Sequence, residues 1–400
     1  MKKVTKRFVG FACAIILAVS SFGLEASAHT IADSGRWVTE KEVEWQKPTE
    51  IVKMETQEKQ FIMSTKTKAG KINNLYFSFP TEGGVRFHAD DTGFWNPKEL
   101  SVIKYTSEGA ATVMQANGTK VKVYSTASPW RFEVYNANDE MVIWFLADDM
   151  YFGYDADGNL AKVKIASAVD ENETLFGLGE RFGGFVQNGN SVEMWNYDSF
   201  SQLRRSYGDQ NVGYKNVPIL HSNNGYTLFH NNTYYGVVDV ADSKKDECSF
   251  EFNSSILDMY VWTGSTLENI DSYSKLTGSS VTIPKNMLTY WAGHATAQWY
   301  KGGKEPEQVL NTVKTTVEKY EQLGTPIKTI FIESIGTNEK YASTQDYLKS
   351  KNIKYLSWMN SDFRTFDEGK DRSATKIRDK AGFTNATMPL ITWNYAKLSH

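Results

Sequence analysis

The segment FGLGERFGGFVQNGNSVEMWNYD, residues 176–198, combines closely spaced glycines with aromatic, charged and amide side chains. The glycines require a backbone that neither a helix nor a flat strand adopts. Aromatic rings stack on the apolar faces of sugars, and Asp, Asn and Arg side chains hydrogen-bond to sugar hydroxyls. The segment fits a saccharide-binding loop, and the alternative is a bulged hairpin whose aromatic side chains pack in a core. A phosphate-binding glycine loop does not fit, because Phe182 stands where that motif requires glycine.

Short runs of alternating apolar and polar residues flank this segment on both sides. They are FIMSTKT, NLYFSF, GVRFHAD, VKVYST, RFEVYN and MVIWFLA before it, and YKNVPILHS, YTLFHN, YYGVVDV, CSFEFN and LDMYVWT after it. Turn sequences separate the runs, so the pattern predicts an antiparallel β-sandwich. DADGN at 155–159 is predicted to be a hairpin turn, because it lacks the acidic residues of a calcium loop. Residues 29–60 are polar and are interpreted as an arm laid over a sheet.

The pattern changes towards the C-terminus. STLENIDSYSKLTGSS, residues 265–280, predicts a helix that ends at Gly278. Apolar runs then alternate with helical patterns: runs at 287–294, 327–334 and 353–359, and helices that begin at 306 and 343. Apolar strands that alternate with helices predict a parallel sheet of βαβ units.

Charge and targeting signals narrow the class of protein. The formal net charge is −3, so charge gives no support for a nucleic-acid or anionic-membrane partner. Residues 1–28 have a basic start, an apolar stretch and Ala26-Ser27-Ala28, which is typical of a secretory signal peptide cleaved after Ala28. We therefore expect a secreted protein with no membrane attachment after cleavage. Cys248 would then be the single cysteine, without a disulfide partner. The six histidines are scattered, so no metal or other cofactor is expected.

Four pieces of sequence in a fixed order resemble the N-terminal domain signature of glycoside hydrolase family 31, the α-glucosidase and α-xylosidase family. They are GLGE at 177–180, Asn196-Tyr197-Asp198, Tyr214, and VPIL at 217–220. The resemblance implies a β + α/β architecture in which an N-terminal sandwich, residues 29–285, is followed in residues 286–400 by the first part of a (β/α)8 TIM barrel. That part amounts to about three βα units, since about 115 residues stand where a whole barrel needs about 250.

The resemblance also implies a set of substrate-binding residues. Asp198 corresponds to the family aspartate that reaches from the N-terminal domain into the sugar subsite of the barrel. Family members place an aspartate at the end of the second barrel strand, where this sequence has Glu333. Trp358, at the third strand end, either walls the pocket or packs in the barrel core, and Trp291 on the first strand completes the predicted set. The expected partner is an α-linked oligosaccharide or glucoside.

The catalytic chemistry of the family depends on two aspartates on later strands, a nucleophile and an acid/base. Neither motif occurs before His400, so no residue of this chain is predicted to be catalytic. We expect retaining hydrolysis or transglycosylation of α-glucosides in the full-length architecture. The alternatives are a non-catalytic carbohydrate-binding remnant, or a truncated product that folds poorly because an open parallel sheet exposes an unpaired edge.

Overall fold

The computed structural model describes residues 42–80, 83–181, 183–194, 215–279, 282–283, 285–294, 305–332 and 341–357. The chain divides between Ser279 and Ser280 into two compact units, and the resemblance implies a boundary at residue 285. The predicted signal peptide, residues 1–28, lies outside the described residues. Within these ranges, every helix is too short or too polar to span a bilayer.

The first unit is built mainly of β-strands. They are β1 (Glu44–Gln46), β2 (Pro48–Thr56), β3 (Phe61–Thr67), β4 (Ile72–Ser78), β5 (Val85–His88), β6 (Lys104–Glu108), β7 (Ala111–Ala116), β8 (Thr119–Tyr124), β9 (Arg131–Tyr135), β10 (Met141–Leu146), β11 (Met150–Tyr154), β12 (Leu160–Ala168), β13 (Leu175–Glu180), β14 (Asn190–Met194), β15 (Lys215–Ser222), β16 (Tyr226–His230), β17 (Gly236–Val240), β18 (Glu247–Phe252) and β19 (Asp258–Thr263). Helix α1 (Thr266–Thr277) follows them, with Ser265 and Glu268 forming a capping box at its start.

The described strands of this unit form three antiparallel sheets. The largest has the order β13-β15-β16-β19-β5-β4-β3-β2, and a six-stranded sheet has the order β1-β11-β12-β18-β17-β14. The remaining sheet is a meander, β10-β9-β8-β7-β6. Neighbours in the first two sheets come from distant parts of the sequence, as where β19 pairs with β5, so these sheets depend on long-range contacts.

Aromatic side chains join the large sheet to the meander. The ring of Phe132 on β9 lies 5.0 Å from that of Phe77 on β4 and 4.9 Å from that of Phe87 on β5. Phe145 on β10 lies 5.1 Å from Phe87, and all four rings are buried in one continuous core. Burying an aromatic side chain of this size contributes roughly 1.5–3 kcal/mol, so the interface between the sheets stabilises the sandwich strongly.

A buried ion pair crosses the middle of the large sheet. Arg86 on β5 and Asp258 on β19 lie 2.7 Å apart, and the Asp258 side chain is fully buried. The same carboxylate accepts hydrogen bonds from the backbone N–H of Gly93 at 2.8 Å and from the amide of Asn231 at 2.7 Å. These donors compensate the charge of Asp258, which would otherwise be expensive to bury.

The predicted antiparallel sandwich is confirmed. The run FIMSTKT coincides with β3, and DADGN forms the β11–β12 hairpin turn, in which Asp155 accepts from the backbone N–H of Asp157 and Asn159. The interpretation of residues 29–60 as an arm is wrong for Glu44–Thr56, because β1 and β2 pair with β11 and β3. β2 is an edge strand with mostly exposed side chains, so its sequence lacks the alternation that marks a half-buried strand.

The second unit, as far as it is described, is a parallel sheet with helices. Its elements are β20 (Trp291–His294), α2 (Pro306–Gln322), β21 (Thr329–Ile332), α3 (Ala342–Ser350) and β22 (Lys354–Ser357). The sheet order is β20-β21-β22, with both pairs parallel, so the predicted βαβαβ arrangement is confirmed. The predicted strand at 287–294 is too long, because Lys285–Leu288 is a 3-10 helix. Val309, Val313 and Val317 form the buried face of α2, at the helical spacing that the sequence shows.

The GLGE segment forms the edge strand β13 with a bulge. The pairing of β13 with β15 shifts register between Gly177 and Gly179, and Leu178 between them has φ 66° with its side chain buried. A β-carbon on Gly179 would lie 1.9 Å from the carbonyl oxygen of Lys215, and Gly179 has φ 94°. Only glycine fits this position, because any side chain would collide with the neighbouring strand and strain the backbone.

We expect Gly179→Ala to separate β13 from β15 and to lower the free energy of unfolding by roughly 3 kcal/mol or more. Gly189 is the matched control, since it has φ 84° and no atom within 4 Å of a built β-carbon. Gly189→Ala carries only the backbone strain, about 1 kcal/mol. Urea unfolding of both variants measures the difference, and equal losses would contradict the steric argument.

His230, at the end of β16, is buried where the large sheet meets the six-stranded sheet. Its ring stacks 4.4 Å from that of Phe252 on β18, and both ring nitrogens lack a hydrogen-bond partner among the described residues. Burial lowers the pKa of His230 to about 3, against a smaller opposing effect of Asp258. The imidazole is therefore neutral in the folded protein, and it protonates below about pH 6.5 only when the chain unfolds.

Because the unfolded chain binds the extra proton between about pH 6.5 and the native pKa, stability is lost as the pH falls through this window. From pH 7 to pH 5 we expect His230 to account for a loss of roughly 2 kcal/mol. His230→Leu has no such proton to bind, so its stability should fall by that much less over the same range. Urea unfolding of both proteins at pH 7 and pH 5 tests this, and identical losses in the two proteins would show the assignment to be wrong.

Candidate functional site

The stretch that carries Asp198 joins two sheets of the sandwich. β14 ends at Met194 in the six-stranded sheet, and β15 begins at Lys215 in the large sheet. Asp198 itself lies outside the described residues, so its predicted role stays a prediction. The structure does define the two strand ends between which residues 195–214 run.

Arg181, directly after the bulged strand, contacts both of these strand ends. Its Nε donates to the carbonyl oxygen of Leu178 at 3.2 Å, and its Nη2 donates to the carbonyl oxygen of Glu193 at 3.2 Å. Nη2 also donates to the side-chain oxygen of Asn216. Burial lowers the pKa of Arg181 to about 10, while the nearby Glu193 carboxylate acts in the opposite direction. The guanidinium remains charged at neutral pH.

An aromatic stack covers the beginning of β13. The Phe176 ring lies 4.7 Å from the Phe185 ring and 5.4 Å from the His221 ring. Phe185 is 73% exposed, whereas His221 is buried, and this burial lowers the pKa of His221. The loop that presents Phe185 is held by Gln187, whose side-chain amide donates to the carbonyl oxygen of Gly184 at 3.1 Å. Phe185 is thus an exposed ring on a fixed loop, while Phe176 packs beneath it.

In the second unit, the carboxyl ends of the three parallel strands are level. His294, Ile332 and Ser357 lie side by side in the register. Glu333 and Trp358 directly follow two of these residues in the sequence, and both lie outside the described residues. Their predicted roles therefore stay predictions.

Trp291 is the described member of the predicted substrate-binding set. It is the first residue of β20, opposite Thr329, so it lies at the amino end of the strand and not at the end that carries His294. Its side chain is 37% exposed. Its predicted role as a sugar contact stays a prediction, at a position away from the carboxyl edge.

Sequence reasoning missed one contributor, Asn216. It stands one residue before the apolar run VPIL, and a polar residue there indicates only that this side chain lies on the exposed face of a strand. Its connection to Arg181 depends on the bulge, which sets Gly179 opposite Asn216. Among the residues that the structure describes, no group of three or more His, Cys, Asp or Glu side chains could hold a metal ion.

Comparison with known sequences identifies the first unit. Residues 74–239 match the glycosyl hydrolase 31 N-terminal galactose mutarotase-like domain. The isomaltosyltransferase of Sporosarcina globispora is 25% identical over 246 residues, which cover 58% of this chain and 21% of that protein. The α-xylosidase XylQ of Lactiplantibacillus pentosus is 29% identical over 141 residues, which cover 35% of this chain and 17% of that protein. The chain thus spans about a fifth of the length of these relatives.

Comparison with solved structures gives the same architecture. A dextranase of family 31 from Flavobacterium johnsoniae, complexed with glucose, superposes with a TM-score of 0.64 at 15% identity, covering 78% of this chain and 38% of that chain. The cycloalternan-forming enzyme of Listeria monocytogenes, in complex with a pentasaccharide substrate, superposes with a TM-score of 0.65 at 16% identity, covering 84% of this chain and 34% of that chain. These structural likenesses concern the fold, and the sequence matches support membership of the chain in glycoside hydrolase family 31.

Proposed function

We propose that this chain supplies sugar-binding residues to an exported protein that acts on α-glycosidic bonds of glucosides, by retaining hydrolysis or by transfer. Membership of family 31 is the observation that carries the proposal. The relatives include an isomaltosyltransferase, α-xylosidases and an α-glucosidase, which are enzymes named for α-linked sugars. A solved relative holds glucose and another holds a pentasaccharide.

The described elements support the assignment of the individual residues. Asp198 belongs to the stretch between β14 and β15, whose ends Arg181 contacts. Glu333 and Trp358 directly follow β21 and β22 in the sequence, and residues that follow parallel strands gather at one edge of a sheet. A carboxylate placed there accepts hydrogen bonds from sugar hydroxyls, and an indole offers a stacking face. In this proposal the three strands β20-β21-β22 are the first part of a (β/α)8 barrel.

Binding without turnover is a second candidate function for these 400 residues. The resemblance assigns both catalytic aspartates to strands later than the third, and the described second unit contains three parallel strands. A chain with the hydroxyl-binding carboxylates and without the reacting pair would hold a saccharide and leave its glycosidic bond intact.

The 400-residue chain should bind isomaltose or maltose and should not release the phenol from an aryl α-glucoside. Replacing Asp198 with Asn, or Glu333 with Gln, should weaken binding by roughly tenfold or more, because each removes a charged acceptor from the sugar hydroxyls. Titration calorimetry measures the affinities, and Asp271→Asn on the exposed face of α1 is the matched control.

One outcome would contradict the assignment of the sugar-site residues, and another would contradict binding without turnover. Unchanged affinity in the Asp198 and Glu333 variants would remove these residues from the sugar site. Steady turnover of the aryl α-glucoside by the 400-residue chain would show that a reacting pair of carboxylates is present after all.

A further inference from the structure

The contacts of Arg181 lie on both sides of residues 195–214. Glu193, whose carbonyl oxygen accepts from Nη2 at 3.2 Å, is the last residue but one of β14. Asn216, whose side-chain oxygen accepts from the same nitrogen, is the second residue of β15. One guanidinium therefore joins the strand that leads into this stretch to the strand that leads out of it.

The bulge in β13 places Arg181 for this double contact. Its positive φ angles at Gly177, Leu178 and Gly179 bury the Leu178 side chain and set Gly179 opposite Asn216. The Leu178 carbonyl oxygen then accepts from Nε of Arg181 at 3.2 Å, which fixes the guanidinium to β13. A guanidinium presents five donors in a planar fork, so it can serve three oxygens from three strands at once.

Packing alone does not account for an arginine at this position. Moving a guanidinium out of water costs free energy, and burial here lowers its pKa to about 10. An apolar side chain would fill the same space without that cost. The bonds of Arg181 to three strands offset that cost, and two of these strands border the stretch that contains Asp198.

We propose that Arg181 is a positioning residue: it fixes the end of β14 relative to the start of β15, the two described strand ends that flank Asp198 in the sequence. The link to sugar binding rests on the proposed function of Asp198. A guanidinium that binds two strand ends reduces the number of conformations that those ends can adopt.

The direct readout is hydrogen exchange in the full chain at the two strand ends, Glu193–Met194 and Lys215–Val217. Arg181→Gln should raise exchange at both places by roughly tenfold, because it removes the connection between them. Arg181→Lys should behave similarly, since an ammonium lacks the fork that serves three oxygens. Asn216→Ala keeps the arginine and removes one acceptor, so it should give a smaller increase at the same two places.

Asp271→Asn is the matched control. It removes an exposed ion pair on α1, in which Lys275 Nζ lies 2.9 Å from the Asp271 carboxylate, and it should leave exchange at both strand ends as in the unaltered protein. Affinity for isomaltose should fall by roughly tenfold in Arg181→Gln and stay unchanged in Asp271→Asn. Circular dichroism of each variant establishes whether it is folded. If Arg181→Gln does not fold, the exchange measured in Asn216→Ala tests the proposal instead.

Exchange in Arg181→Gln and Asn216→Ala that equals that of Asp271→Asn would overturn the proposal. Full recovery of protection in Arg181→Lys would also overturn it, because charge without the fork would then suffice. If the unaltered chain binds no sugar, the proposed function fails, whereas the exchange comparison still decides whether Arg181 fixes the strand ends.

Discussion

The close approach of β13 to β15 is the constraint on which the surrounding structure depends. Gly179 lies against the Lys215 carbonyl at a distance that excludes any β-carbon. The backbone can bulge there, because glycine tolerates the required φ of 94°. The bulge turns Leu178 into the core and brings Arg181 level with the ends of β14 and β15. Gly179 thus determines where the guanidinium of Arg181 lies.

Much of the sandwich could be predicted from local patterns, because successive side chains of a half-buried strand point alternately to the core and to solvent. The run FIMSTKT coincides with β3, whose side chains alternate between buried and partly buried. β2 was beyond such reasoning, since both its faces carry exposed side chains. Sheet order was also beyond it, because the pairing of β19 with β5 connects segments that share no local signal. Likewise, the sequence shows Arg181 beside the glycines and cannot show that Asn216 accepts from it, since that contact depends on a shifted register.

The two units contribute differently to the functional argument. The family match lies within the first unit, residues 74–239, and includes the GLGE segment together with Asp198. In the second unit, three parallel strands end level with one another, which is the arrangement from which α/β enzymes present their binding residues. The sugar-binding proposal therefore combines sequence identity in one unit with strand geometry in the other. Phe185 adds an exposed ring close to the bulged strand, on a loop that Gln187 holds in place.

The ion pair between Arg86 and Asp258 has a consequence for biosynthesis. Its two residues are 172 positions apart, and a ribosome delivers the arginine long before the aspartate. An arginine buried without its counter-ion costs about 3–5 kcal/mol, so β5 gains little by packing early. The meander β6–β10 has no such dependence, because each strand pairs with its neighbour in sequence. A nascent chain shorter than 258 residues consequently holds β5 without its neighbour β19 and without the negative charge that allows the interior position of Arg86.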